Sequence, residues 1–123
     1  MPVRSLSSSV LRWPDLKEVD RAVRRWAEEV VRKRPEVIRI GYFGSYARGD
    51  WGVGSDLDLI VVVEGADMPY TDRLKEWDVT GLPVPADLLV YTEKEWDLLL
   101  EKGRFGKTLR QETVWVYDRK PSL

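Results

Sequence analysis

In the first third of the chain, apolar side chains recur every three to four positions: Leu16, Val19, Val23, Trp26, Ala27, Val30 and Val31, with charged residues between them. That period predicts an amphipathic helix over 15–34, with one stripe packed and the other solvated. Asp15 with Glu18 three residues on reads as a capping box, and Pro35, which has no backbone N–H, stops the helix. The period then changes. Residues 36–43 are rich in β-branched and aromatic side chains and run into Gly44-Ser45, which predicts a strand, a tight turn and a short helical turn over 45–49. The glycines in Asp50-Trp51-Gly52-Val53-Gly54 predict a loop. Residues 56–63 form the next strand, and because both faces are apolar after Asp58, it belongs in the centre of a sheet.

Beyond a loop at 65–69, residues 71–78 suit a short helix with Leu74 and Trp77 inward. Pro83 and Pro85 bracket the approach to a strand over 86–91. Thr92 and Glu95 make a second capping box, for a helix ending near Gly103. A helix over 105–112 and an edge strand over 114–117 complete the pattern. With no repeat and no interdomain linker, this order implies an α+β fold: a mixed β-sheet flanked by helices, in a single domain over 1–123 whose residues 1–12 are expected to be flexible.

Composition narrows the chemistry. A net charge of −1 argues against a surface built to hold duplex nucleic acid, which needs many uncompensated Lys and Arg side chains, yet leaves room for a small cationic pocket. The absence of Cys removes disulfides, thiolate metal sites and cysteine nucleophiles, and it fits a reducing, cytoplasmic setting. The absence of His removes a histidine base and the usual zinc sites. The first ten residues lack the apolar core of a secretory signal, and the longest apolar run, 57–63, is far too short to span a membrane. Any catalysis therefore rests on carboxylates, hydroxyls, Arg, Lys and a hard metal.

Asp56 and Asp58, at i and i+2 of a strand, project to the same side. Carboxylates that close repel unless a cation lies between them or one is protonated, and a hard oxygen pair suits Mg²⁺. Asp87 is a single acid set among apolar residues at the start of another strand; if that strand neighbours 56–63, it completes a three-carboxylate cluster able to hold two Mg²⁺ ions. Opposite them, Gly44 permits close backbone approach, Ser45 opens a helical turn whose free N–H groups favour anions, and Arg48 offers a guanidinium fork. Ser55 has two readings, a phosphate ligand or a cap on its loop.

Gly44-Ser45-Tyr46-Ala47-Arg48-Gly49, followed at short range by Ser55-Asp56-Leu57-Asp58-Leu59, resembles the signature of the DNA polymerase β-like nucleotidyltransferase superfamily, closest to its minimal nucleotidyltransferase branch. The resemblance implies a polymerase β-like palm fold, with catalytic Mg²⁺ ligands at Asp56, Asp58 and Asp87 and triphosphate binding at Gly44, Ser45 and Arg48. It also implies transfer of AMP from ATP. The acceptor in this branch is often a helical HEPN-type partner, modified by the transferase as its antitoxin.

Simpler readings stand beside these. Arg48 either binds phosphate or makes an ion pair with Asp50 or Glu64; Trp51 either stacks on a base or sits exposed at a partner surface; Asp87 is either a ligand or a solvated edge residue. Trp26, Trp77 and Trp96 fall on apolar faces as core, and the run of Arg21, Arg24, Arg25, Arg32, Lys33 and Arg34 is a wet helix face. Two other functions compete: a two-chain transferase acting on small molecules of the aminoglycoside kind, and a non-catalytic module that blocks a partner by contact. Oligomeric state is left open.

Overall fold

The computed structural model describes residues 13–65 and 77–119 of the chain. The expected flexible segment at 1–12 and most of the expected helix over 71–78 lie outside them. Trp77 and Asp78, its last two residues, are described and are not helical. Trp77 instead lies under the Arg34 guanidinium, 4.3 Å from its ring centre, so a cation–π contact holds what helical packing was expected to hold.

Helix α1, Leu16–Lys33, begins where the Asp15 carboxylate accepts the Glu18 backbone N–H at 2.9 Å, satisfying one of the donors that a helix start leaves unpaired. Strand β1, Val37–Phe43, leads through Gly44 into the single turn α2, Ser45–Arg48. Strand β2 is Leu57–Val63 and strand β3 is Ala86–Thr92. Both halves of the capping box form at helix α3, Glu93–Glu101: Glu95 N–H donates to Thr92 Oγ1 at 3.1 Å, and Thr92 N–H donates to Glu95 Oε1 at 2.8 Å. Helix α4, Gly103–Glu112, and strand β4, Val114–Asp118, follow.

The strands form one mixed sheet in the order β3-β2-β1-β4, with β2 and β3 parallel and the other neighbours antiparallel. Strand β2 is central, and every one of its residues except Asp58 is buried. Alternation divides its side chains between two layers. Leu57 and Leu59 pack with Val19 and Val23 of α1, and Val61 and Val63 with Ala27 further along the same helix. Ile60 and Val62 point the other way, onto Trp96 of α3 and Leu109 of α4. The sheet is therefore sandwiched between α1 and the α3–α4 pair. Asp58, in alternation with Ile60 and Val62, belongs to the α3–α4 side. The basic side chains Arg21, Arg25, Arg32 and Lys33 are exposed along α1, as its wet face requires. No helix among the described residues is long and apolar enough to cross a membrane.

One polar contact ties α1 to the sheet. Tyr42, 2% exposed, donates its hydroxyl to Asp20 Oδ2 at 2.8 Å, and Arg24 donates to the other oxygen of the same carboxylate at 2.6 Å. Burial first, then the bond to Asp20, raises the Tyr42 ionisation well above the ordinary tyrosine value, so the phenol stays a donor at any working pH. Tyr42→Phe keeps the ring and removes the bond. Urea denaturation is expected to show a loss of about 1–2 kcal/mol, since Asp20 retains Arg24 and water.

Candidate functional site

The sheet register sets up the site. Across β1 and β2 Phe43 pairs with Asp58, and across β2 and β3 Asp58 pairs with Asp87, so these three side chains form one row on the α3–α4 side. The strand adjacency on which Asp87 depended is thus present. Asp56 lies just ahead of β2, which starts one residue later than the pattern suggested because Leu57 N–H bonds to the Pro85 carbonyl as pairing with β3 begins. It nonetheless shares a cleft with Asp58.

That cleft, of about 400 Å³, is lined by Phe43, Gly44, Ser45, Arg48, Asp56, Asp58, Phe105, Thr108 and Glu112. Asp87, exposed on the edge strand, stands in the row but outside the lining. At the cleft floor Gly44 has φ 83° and ψ −153°, a backbone region that glycine alone enters without strain. A Cβ at this position would also run into the Asp58 carboxylate oxygen. Glycine is required twice over: to turn the chain from β1 into α2, and to leave space for an acid on the neighbouring strand.

Asp58 ionises less readily than an ordinary aspartate. Half-burial is the largest cause, followed by the charges of Asp87 and Asp56, with Glu112 adding to them and Arg48 opposing. Arg48 is itself shared, its Nε donating to Asp50 Oδ2 at 3.0 Å and its Nη1 to Glu112 Oε1 at 3.3 Å. The ion pair with Asp50 is therefore formed, whereas Glu64 pairs with Arg119. Glu112, which sequence reasoning passed over, also accepts the Gly44 backbone N–H at 2.7 Å through its other oxygen. Only the fold could reveal it, because the final residue of a polar helix carries no local signal of a partner 68 positions away.

Two other residues take definite places. The Ser55 hydroxyl accepts the Gly52 N–H at 2.8 Å and so caps its loop, away from the cleft lining. Trp51 is half-buried, stacked on Tyr46 at 5.6 Å with 9° between the rings, and lies outside the cleft lining, so it is not the exposed ring one reading expected.

The family model described as "Nucleotidyltransferase domain" matches residues 23–115, which include every residue of this site. The chain belongs to the nucleotidyltransferase domain family. Among solved structures, a proposed nucleotidyltransferase from Sulfolobus solfataricus is 24% identical, with a TM-score of 0.60 over 85% of this chain and 84% of that one. A toxin–antitoxin structure with AMP-PNP matches at 16% identity and a TM-score of 0.51, over 77% of this chain and 73% of that one. These likenesses show the fold. No curated protein matches significantly.

For a nucleotidyltransferase the donor set has a specific shortage. Among the described residues no three acids are placed to share one ion. Magnesium, however, is ordinarily held by one or two carboxylates, with waters and substrate phosphates completing its octahedron, and a half-buried Asp58 beside Asp56 and Asp87 fits that use. The ionised acids without a cation should tax the fold. Because folding raises the Asp58 pKa, the tax is absent below the ordinary Asp value, grows as pH climbs through the folded value and is constant above it. In the absence of divalent cations, Asp58→Asn should melt above the wild type at neutral pH, the two converging in acid; an equal or lower melting temperature at neutral pH would contradict the strain.

Proposed function

We propose that the chain moves AMP from ATP onto a hydroxyl of a HEPN-type helical protein, as an antitoxin that modifies its toxin. The observation that carries the reading is the row of Asp58 and Asp87 on adjacent strands, with Asp56 and the Gly44 turn set against it. The toxin–antitoxin structure with AMP-PNP, an ATP analogue, supports the nucleotide and a protein partner. A cytoplasmic setting follows in this reading, where ATP and partner meet.

Gly44 N–H, Ser45 with its hydroxyl, and Arg48 take the β- and γ-phosphates at the opening turn of α2. Glu112 then yields the donors it holds. Two Mg²⁺ ions at Asp56, Asp58 and Asp87 would offset the carboxylate charge and draw electron density from the phosphoryl oxygens. The acceptor oxygen attacks the α-phosphorus in line, the bond from that phosphorus to the bridging oxygen breaks, and pyrophosphate leaves. Asp87, the outermost acid of the row, takes the hydroxyl proton. Ser55 serves by holding the loop that leads to Asp56.

Incubation with Mg²⁺, each nucleoside triphosphate in turn and the partner protein, read by intact mass, should add one adenylyl group to the partner. Asp87→Asn is expected to slow transfer by roughly 10²–10⁴-fold while nucleotide affinity stays within a few-fold; undiminished transfer would remove Asp87 from the mechanism. Turnover only with a small alcohol or amine would indicate a small-molecule transferase instead. Tight partner binding by Asp56→Asn/Asp58→Asn, with no mass change in the wild type, would indicate a non-catalytic module.

A further inference from the structure

We propose that Phe105, backed by Phe43, is the platform on which the base of the nucleotide stacks. The inference rests on the nucleotide reading above and adds the half of the ligand that the Gly44, Ser45 and Arg48 donors leave unaccounted for.

Phe105 is 47% exposed, although it is one of the largest apolar side chains in the molecule. A single exposed Phe is ordinary; its position here is not. Phe105, Thr108 and Glu112 stand at i, i+3 and i+7 of α4, and all three line the cleft, so they form one stripe on one helix face. At a rise of 1.5 Å per residue the stripe runs for about 10 Å, close to the reach from base to terminal phosphates in an extended nucleoside triphosphate. Its Glu112 end is where the Gly44 N–H and the Arg48 guanidinium already hold an anionic group. Its Phe105 end is apolar, with Phe43 edge-on at 6.2 Å and 77°.

The stripe is also held in place. Leu109 is fully buried, and Gly106 lies so close to α3 that an added Cβ would strike the Leu99 carbonyl, which prevents α4 from rolling to hide the ring. Apart from the two Phe rings and Gly44, the cleft wall is polar or charged: Ser45, Arg48, Asp56, Asp58, Thr108 and Glu112. A ligand that matches it carries an anionic end and a flat aromatic end. A polyphosphate alone leaves Phe105 in water, whereas a nucleoside triphosphate covers it, and ring–base stacking accepts any base because every base has a π-face.

Isothermal titration of the full chain with ATP and with inorganic tripolyphosphate, both with Mg²⁺, tests this in the wild type, Phe105→Ala and Phe105→Tyr. The wild type should bind ATP more tightly than tripolyphosphate. Phe105→Ala should weaken ATP by at least about five-fold and leave tripolyphosphate unchanged, while Phe105→Tyr, which keeps the ring, should match the wild type. Circular dichroism reports whether each variant is folded. Unchanged ATP affinity in Phe105→Ala, or equal loss of both ligands in a folded Phe105→Ala, overturns the platform and leaves the nucleotide reading standing. Failure of the wild type to bind either ligand overturns the nucleotide reading, and the platform with it.

Discussion

Strands β2 and β3 run parallel with Asp58 directly beside Asp87, and Asp56 enters the same neighbourhood from the loop ahead of β2. Among the described residues that crowding of like charge is only partly relieved. Arg48 is the cation that bears on Asp58, and Asp50 and Glu112 already share it. The crowding persists because the strand beneath it cannot slip. A shift of one residue in β2 would drive Asp58 into the apolar layer under α1 and push Leu57, Leu59, Val61 and Val63 toward α3 and α4, losing both layers of core. Burial of apolar side chains thus holds an electrostatically costly arrangement in place.

The opposite wall is one of donors, which carboxylates of the chain itself engage. Gly44 presents its N–H at a backbone angle open only to glycine, and Arg48 presents a guanidinium fork; Glu112 satisfies both from the end of α4. A carboxylate in this position keeps the turn and the arginine arranged. In the proposed reading an incoming phosphate would meet donors already aimed at an anion, so little reorganisation would remain when it binds. Helix α4 therefore contributes to the site along its length, with Glu112 at one end and Phe105 at the other.

The elements that were legible from the pattern are those whose signal is local: the 3.6-residue stripe of α1, the β-branched run of β1, the apolar run of β2 and the Thr92–Glu95 capping box. The Gly44-Ser45, Arg48 and Asp56/Asp58 constellation was legible for the same reason, since its parts lie within fifteen positions of one another. What sequence could not display depends on pairing at a distance. The place of Asp87 awaited the β2–β3 register, and Glu112 awaited the packing of α4 against the β1–α2 turn. For Ser55 the choice between ligand and cap needed the bond to Gly52, and the exposure of Trp51 was overestimated because a loop with two glycines looks open, whereas the ring stacks on Tyr46.

In the proposed reading, the carboxylate row is completed only when a divalent cation arrives with the nucleotide. The most direct measurement is the affinity for a non-hydrolysable ATP analogue, by calorimetry, with Mg²⁺ and with a chelator, in the wild type and in Asp58→Asn. Wild-type affinity should fall by about ten-fold or more when Mg²⁺ is chelated, and Asp58→Asn should lose most of that dependence. Equal affinity with and without Mg²⁺ in the wild type, or an undiminished Mg²⁺ effect in Asp58→Asn, would contradict it.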